Sequence, residues 1–164
     1  MMPSTFFSVA RSGMSLETRR LSVPASDEGV REALDALAAL FAAASLSKAV
    51  TWPVEVSLDE VLANVVHHGA RGRADARVEV ELALDASAEP PACEVVVTDD
   101  GPAFDPLSAA APDTALGVEE RPIGGLGIAL VRRLMDEVAY ERVGGTNRLR
   151  LRRRLVAIEG QEGG

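Results

Sequence analysis

Apolar and polar positions change period along the chain, and the changes mark the elements. Residues 16–23 predict a strand, which Pro24 ends. From residue 27 to 45, Val30, Leu34, Leu37, Phe41 and Ala44 recur at helical spacing. Ser26 or Asp27 supplies the side-chain oxygen that caps this helix. A second helix is predicted from Thr51-Trp52-Pro53, because a proline in a first turn gives up no hydrogen bond. Its buried stripe is Val54, Leu58, Val61, Leu62 and Val65, and Gly69 and Gly72 end it.

The period then drops to two. Val78, Val80, Leu82 and Leu84 alternate with Glu79 and Glu81, the pattern of a strand with one wet face. Residues 85–91 predict a turn and residues 95–98 the next strand. Residues 106–122 show no period, which marks a lid, a binding loop or a disordered segment. Residues 125–135 read as a helix and 137–143 as a strand. Gly144-Gly145 is a turn, and residues 148–152 form a last strand with Leu149 and Leu151 inward. The later strands follow one another without crossover helices. That order predicts an α+β fold: a two-layer sandwich whose mixed, mostly antiparallel sheet carries its helices on one face. The expected organisation is a flexible tail over 1–14, one domain over 15–156 and a disordered tail over 157–164.

Composition narrows the class. The chain has 164 residues, 47% of them hydrophobic, enough for one domain with a real core. Aromatic residues are only 4%, so Val, Leu and Ala must build that core. The formal net charge of -8 disfavours nucleic acid and anionic membranes as partners. Arginines cluster over 148–154, a strip that could meet an acidic protein. Cys93 is alone, so no internal disulfide framework is expected, and a reducing, cytoplasmic setting fits. No apolar run approaches the length of a membrane helix, and the first ten residues lack the basic start of a leader.

Three stretches carry candidate chemistry. Glu60 and Asn64 stand four residues apart, so a helix stacks them on one face, and His67, His68 and Arg71 continue roughly along it. A carboxylate there can act as a base, and an amide oxygen can ligate Mg2+. The same residues could equally form a plain solvated face. The predicted strand at 95–98 runs into Asp99-Asp100-Gly101-Pro102-Ala103-Phe104-Asp105-Pro106. Asp99 at a strand end can accept a hydrogen bond from an exocyclic amine, and Gly101 lets a flat base approach the backbone. Phe104 suits a cleft wall or the core, while Asp100 and Asp105 suit turns. Gly124-Gly125-Leu126-Gly127 opens a helix, where free N–H groups attract phosphate, although a hinge or tight packing would also explain glycines there. No Lys-Ser/Thr pair follows, which excludes a Walker A loop, and no strand leads into a GxGxxG, which excludes a Rossmann site.

The order and spacing of these stretches resemble the GHKL-type (Bergerat) ATPase fold shared by gyrase, Hsp90, histidine kinases and MutL. Within it, the chain looks like the anti-sigma factor serine/threonine kinases of bacterial partner-switching systems. The carrying segments are residues 60–68, 99–106 and 120–136, and the likeness covers about 16–154. The resemblance implies that Glu60 is the general base and that Asn64 binds Mg2+. It implies that Asp99, backed by Gly101 and Phe104, reads adenine. Gly124, Gly125, Leu126 and Gly127 would surround the phosphates of ATP, and Arg121 would steady the terminal one. His68 stands where the family often has a His. Thr146 and Asn147 match the family's last box near the adenine, and Thr146 is placed there as nucleotide-binding. The implied partners are an anti-sigma-factor antagonist, which receives the phosphoryl group, and a sigma factor or other regulator. A homodimer is also implied. A module that binds nucleotide and partner with little transfer is the other reading. Two departures stand out: Ala103 replaces a frequent second glycine, and the Ala-rich lid has few charges for phosphates apart from Arg121. No phosphoacceptor helical hairpin is present, which argues against a complete histidine kinase.

Overall fold

This computed structural model describes residues 16–108 and 125–159. Strands β1 (Leu16–Pro24), β2 (Arg77–Asp85), β3 (Ala92–Asp99), β4 (Glu137–Val143) and β5 (Thr146–Arg154) form one sheet in the order β1-β2-β3-β5-β4. Every pairing is antiparallel, so the parallel component allowed by the sequence reading is absent among the described strands. Helices α1 (Asp27–Ala43), α2 (Lys48–Asn64) and α3 (Gly125–Leu134) cover one face.

Period-two patterning builds the core. Val78, Val80, Leu82 and Leu84 of β2 meet Val95 and Val97 of β3 and Leu149 and Leu151 of β5. Leu37, Leu40, Leu58 and Leu62 pack on them from α1 and α2, all fully buried. Burying each such side chain is worth about 1.5–3 kcal/mol, which is how a chain poor in aromatic residues folds.

Ser26 caps α1, its Oγ accepting from Gly29 N at 3.4 Å. The buried face of α1 is turned from the expected stripe: Ala33, Leu37, Leu40 and Phe41 are buried, whereas Val30 and Leu34 are half-buried. Small Gly29 lies close against the Pro24 backbone at the end of β1 and Ala33 is fully buried, positions that ranking by hydrophobicity hides. Helix α2 starts at Lys48, a turn before the expected position, with Val50 N and Thr51 N bonded to Ser47 O. Pro53 therefore lies inside the helix, buried, and its own carbonyl accepts from Ser57 Oγ at 2.7 Å. Five residues of π-helix, Val65–Gly69, follow α2, with Ala70 N bonded to Val65 O. Arg71 and Gly72, both at positive φ, then turn the chain.

The arginines of β5 are not free. Arg148 pairs with Glu141 at 3.4 Å, Arg150 with Glu94 at 3.8 Å, Arg152 with Glu137 at 3.6 Å and Arg154 with Asp136 at 3.7 Å. Flanking acids thus neutralise the strip that the sequence offered to an acidic partner. Among the described residues no helix is long and apolar enough to cross a membrane. The predicted tail over 1–14 lies outside the described residues, as do 160–164 of the predicted C-terminal tail, residues 109–122 of the long loop and residues 123–124 after it.

Candidate functional site

A cleft opens where α2 runs into its π-helical turn and β3 ends, with an empty volume of about 460 Å³ including the part open to solvent. Asn64 and His68 reach it from the end of α2 and the π-helix, Asp99 from the tip of β3 and Ile128 from α3. Tyr140 and Asn147 close the far side from β4 and β5. The π-helical turn re-aims the residues after Asn64: His68 stacks on Phe104, ring centres 5.1 Å apart and planes 20° apart, while His67 is exposed. Phe104 is 46% exposed, so it is a wall of the cleft and not part of the core.

Asp99 sits at the end of β3, directly opposite Asn147 of β5. Its Oδ1 accepts from Gly101 N at 2.9 Å and from Asn147 Nδ2 at 3.1 Å. Asp99 lines the cleft, and among the described residues no hydrogen bond is made to its Oδ2. Gly101 has to be glycine: a Cβ would stand 2.8 Å from the backbone of Gly69 and from Asp99 Oδ1. Asp100 does not form the expected turn contact. It takes a 2.6 Å ion pair from Arg73, whose guanidinium holds the Asp100 carboxyl below its usual range. Asp105 does shape its turn, Oδ1 accepting from Leu107 N at 2.8 Å.

At the other end, the start of α3 meets Glu60. A Cβ on Gly127 would lie 2.3 Å from Glu60 Oε2. The bare Cα is what lets a carboxylate lie against the first turn of α3, where the helix dipole favours negative charge. The glycine expected to admit phosphate therefore also admits the candidate base.

The structure brings Asn64, His68, Asp99 and Phe104 to one cleft, Gly101 against Asp99 and Gly69 behind that carboxylate, and Glu60 and Gly127 together. Gly125 begins α3. Leu126 stands exposed and does not line the cleft; Ile128, two residues on, does. Arg121 and Gly124 lie outside the described residues. Thr146 is a correction. Its hydroxyl donates to Val143 O at 2.7 Å within the β4–β5 turn, and its side chain lies on the sheet face away from the helices. Asn147 holds the inner position in its place, and Tyr140 and Arg142 join it there. The alternation that puts Leu149 and Leu151 inward, extended by two residues, already places Asn147 inward and Thr146 outward.

Comparison with known proteins decides the family. A model of the histidine kinase-like ATPase domain matches residues 23–153. The chain belongs to that family. Among relatives of this histidine kinase-like ATPase domain, the serine/threonine-protein kinase BtrW of Bordetella bronchiseptica is 30% identical over 93 residues. That alignment covers 57% of this chain and 63% of the Bordetella protein. The serine-protein kinase RsbW of Listeria monocytogenes is 29% identical over 122 residues, 72% of this chain and 75% of its own length. A crystal structure of the RsbU and RsbW domains of a Mycobacterium tuberculosis protein superposes with a TM-score of 0.59 at 16% identity. It covers 84% of this chain and 32% of that one, and at this identity it speaks to the fold alone.

Proposed function

We propose that the protein is an ATP-dependent serine/threonine kinase of the anti-sigma-factor type. One observation carries the reading: Asp99 offers an unoccupied carboxylate oxygen to a cleft whose neighbouring edge holds Glu60 against the first turn of α3. The two likenesses to kinases named above support it.

The residues fit ATP. Asp99 Oδ2 would accept from the exocyclic amine of adenine. The stacked His68 and Phe104 form a flat wall for a base. The first N–H groups of α3 have no acceptor within the helix and would meet phosphate oxygens. Asn64 offers an amide oxygen for Mg2+, an ion that needs few protein ligands because water and phosphate oxygens complete its shell. When bound, Mg-ATP supplies the transferable γ-phosphoryl group and the charge that balances it. Glu60 would accept the proton of the incoming serine or threonine hydroxyl, and the start of α3 would hold the phosphates in line. Phosphoryl transfer asks a protein for little more than positioning and charge. The acceptor would be an antagonist protein of a partner switch, and the same chain would sequester a sigma factor or comparable regulator.

Glu60→Gln keeps size and hydrogen bonding but removes the base. The variant is expected to bind ATP like the parent and to transfer phosphate to an antagonist roughly 10²–10⁴-fold more slowly. Radiolabel transfer measured beside calorimetry checks both arms. Unchanged transfer would assign the base elsewhere. A parent protein that binds no ATP at millimolar nucleotide would remove the nucleotide reading altogether.

A further inference from the structure

Among the described residues the most densely bonded polar group is the Asn147 side chain, 6% exposed on the inner face of β5. Its Oδ1 accepts from Phe104 N at 3.2 Å, Tyr140 Oη at 2.7 Å and Arg142 Nη1 at 3.0 Å. Its Nδ2 donates to Asp99 Oδ1 at 3.1 Å and Pro102 O at 2.9 Å. Every bonding position of the amide is filled. Its orientation is also dictated: Phe104 N and Arg142 can only donate, and Asp99 and Pro102 O can only accept. Arg142 Nη1 additionally donates to Gly101 O at 2.9 Å, so one guanidinium ties both the amide and the loop after β3.

We infer that Asn147, oriented by Tyr140 and Arg142, is the positioning residue that sets base selectivity, making the cleft specific for purines with an amine, not a carbonyl, at position 6. The inference rests on the nucleotide reading above and deepens it. With the bonding positions of its amide taken, Asn147 offers the base no hydrogen bond of its own. It holds Asp99 Oδ1, with Gly101 N, so the carboxylate cannot rotate and presents Oδ2 alone. A fixed carboxylate oxygen accepts from an amine and repels the carbonyl oxygen that hypoxanthine carries at the same position. Two other bonds of Asn147, from Phe104 N and to Pro102 O, fasten the loop after β3 beside the same carboxylate, and Arg142 holds Gly101 O of that loop. Freed from Asn147, the carboxylate could turn or admit water, and the distinction between amine and carbonyl would fade.

The test compares affinities for ATP and inosine triphosphate by calorimetry in the parent, Asn147→Ala, Tyr140→Phe and Arg148→Ala. Arg148 serves as the control, since it lies on the outer face of the same strand. Melting of the nucleotide-free proteins is followed alongside. Asn147→Ala should weaken ATP by about tenfold, the size of one hydrogen bond to a charged group, and leave inosine triphosphate nearly unchanged. Tyr140→Phe should shift the same ratio by about threefold, the size of one neutral hydrogen bond. A merely structural role would lower melting and weaken both nucleotides together, and that result would overturn the inference. If Asn147→Ala does not fold, Tyr140→Phe, which loses only a hydroxyl, decides by the same ratio. A parent that binds both nucleotides equally overturns the selectivity inference and leaves nucleotide binding standing. A parent that binds neither removes the proposed function itself.

Discussion

On β5, odd-numbered residues face the helices and even-numbered residues face away, and polar groups serve opposite ends on the two sides. Inside, Leu149 and Leu151 fill the core between two polar residues, Asn147 at the cleft and Arg153 at the far end. Arg153 is 7% exposed; its Nη1 donates to Leu134 O at the end of α3, and its Nη2 to Val156 O at 3.3 Å. Outside, Arg148, Arg150, Arg152 and Arg154 lie in water, each facing an acid. Charge is therefore abundant where it decides little, and scarce inside, where Asn147 and Arg153 tie other segments to the strand. Salt bridges in water contribute little because solvent screens them and long side chains lose entropy. A buried polar group left without a partner costs far more.

The comparison can be broken at three positions on this one strand. Leu151→Ala empties the centre of the core and should cost about 2–5 kcal/mol, read from urea unfolding. Arg153→Met keeps an apolar stem but releases the last turn of α3, for an expected loss of about 1–3 kcal/mol. Hydrogen exchange in α3 should rise with it, since the helix end loses its cap. Arg150→Ala, on the outer face, should change stability by about 0.5 kcal/mol or less, with the difference shrinking further in salt. An Arg150 effect as large as that of Arg153 would end the distinction between the two faces.

How far the sequence spoke differs by element for physical reasons. The sheet was legible because a period of two, as in residues 78–84, maps directly onto burial. The face of α1 was less so, because Ala33 lies deep by being small while Val30 is larger and half-buried. The π-helix after α2 left no trace, since shifting a hydrogen bond by one residue asks for no special composition. It is nevertheless what turns His68 onto Phe104. At the cleft, Asn64, His68, Asp99 and Phe104 were named from local motifs, and the fold brings them together. The partnership of Asp99 with Asn147 crosses 48 residues and depends on strand register, which motifs do not encode. Reading Thr146 by its place in a motif, and not by the inward alternation of β5, chose the wrong neighbour.

The central claim is that a fixed carboxylate at Asp99 reads adenine, and Asp99→Asn tests it most directly. Replacing one carboxylate oxygen by NH2 gives the site a donor where it had only acceptors. Calorimetric titration of the parent and the variant with ATP and GTP should show ATP affinity falling by about tenfold or more, with GTP little affected. Equal losses for the two nucleotides, or none for either, would contradict the account.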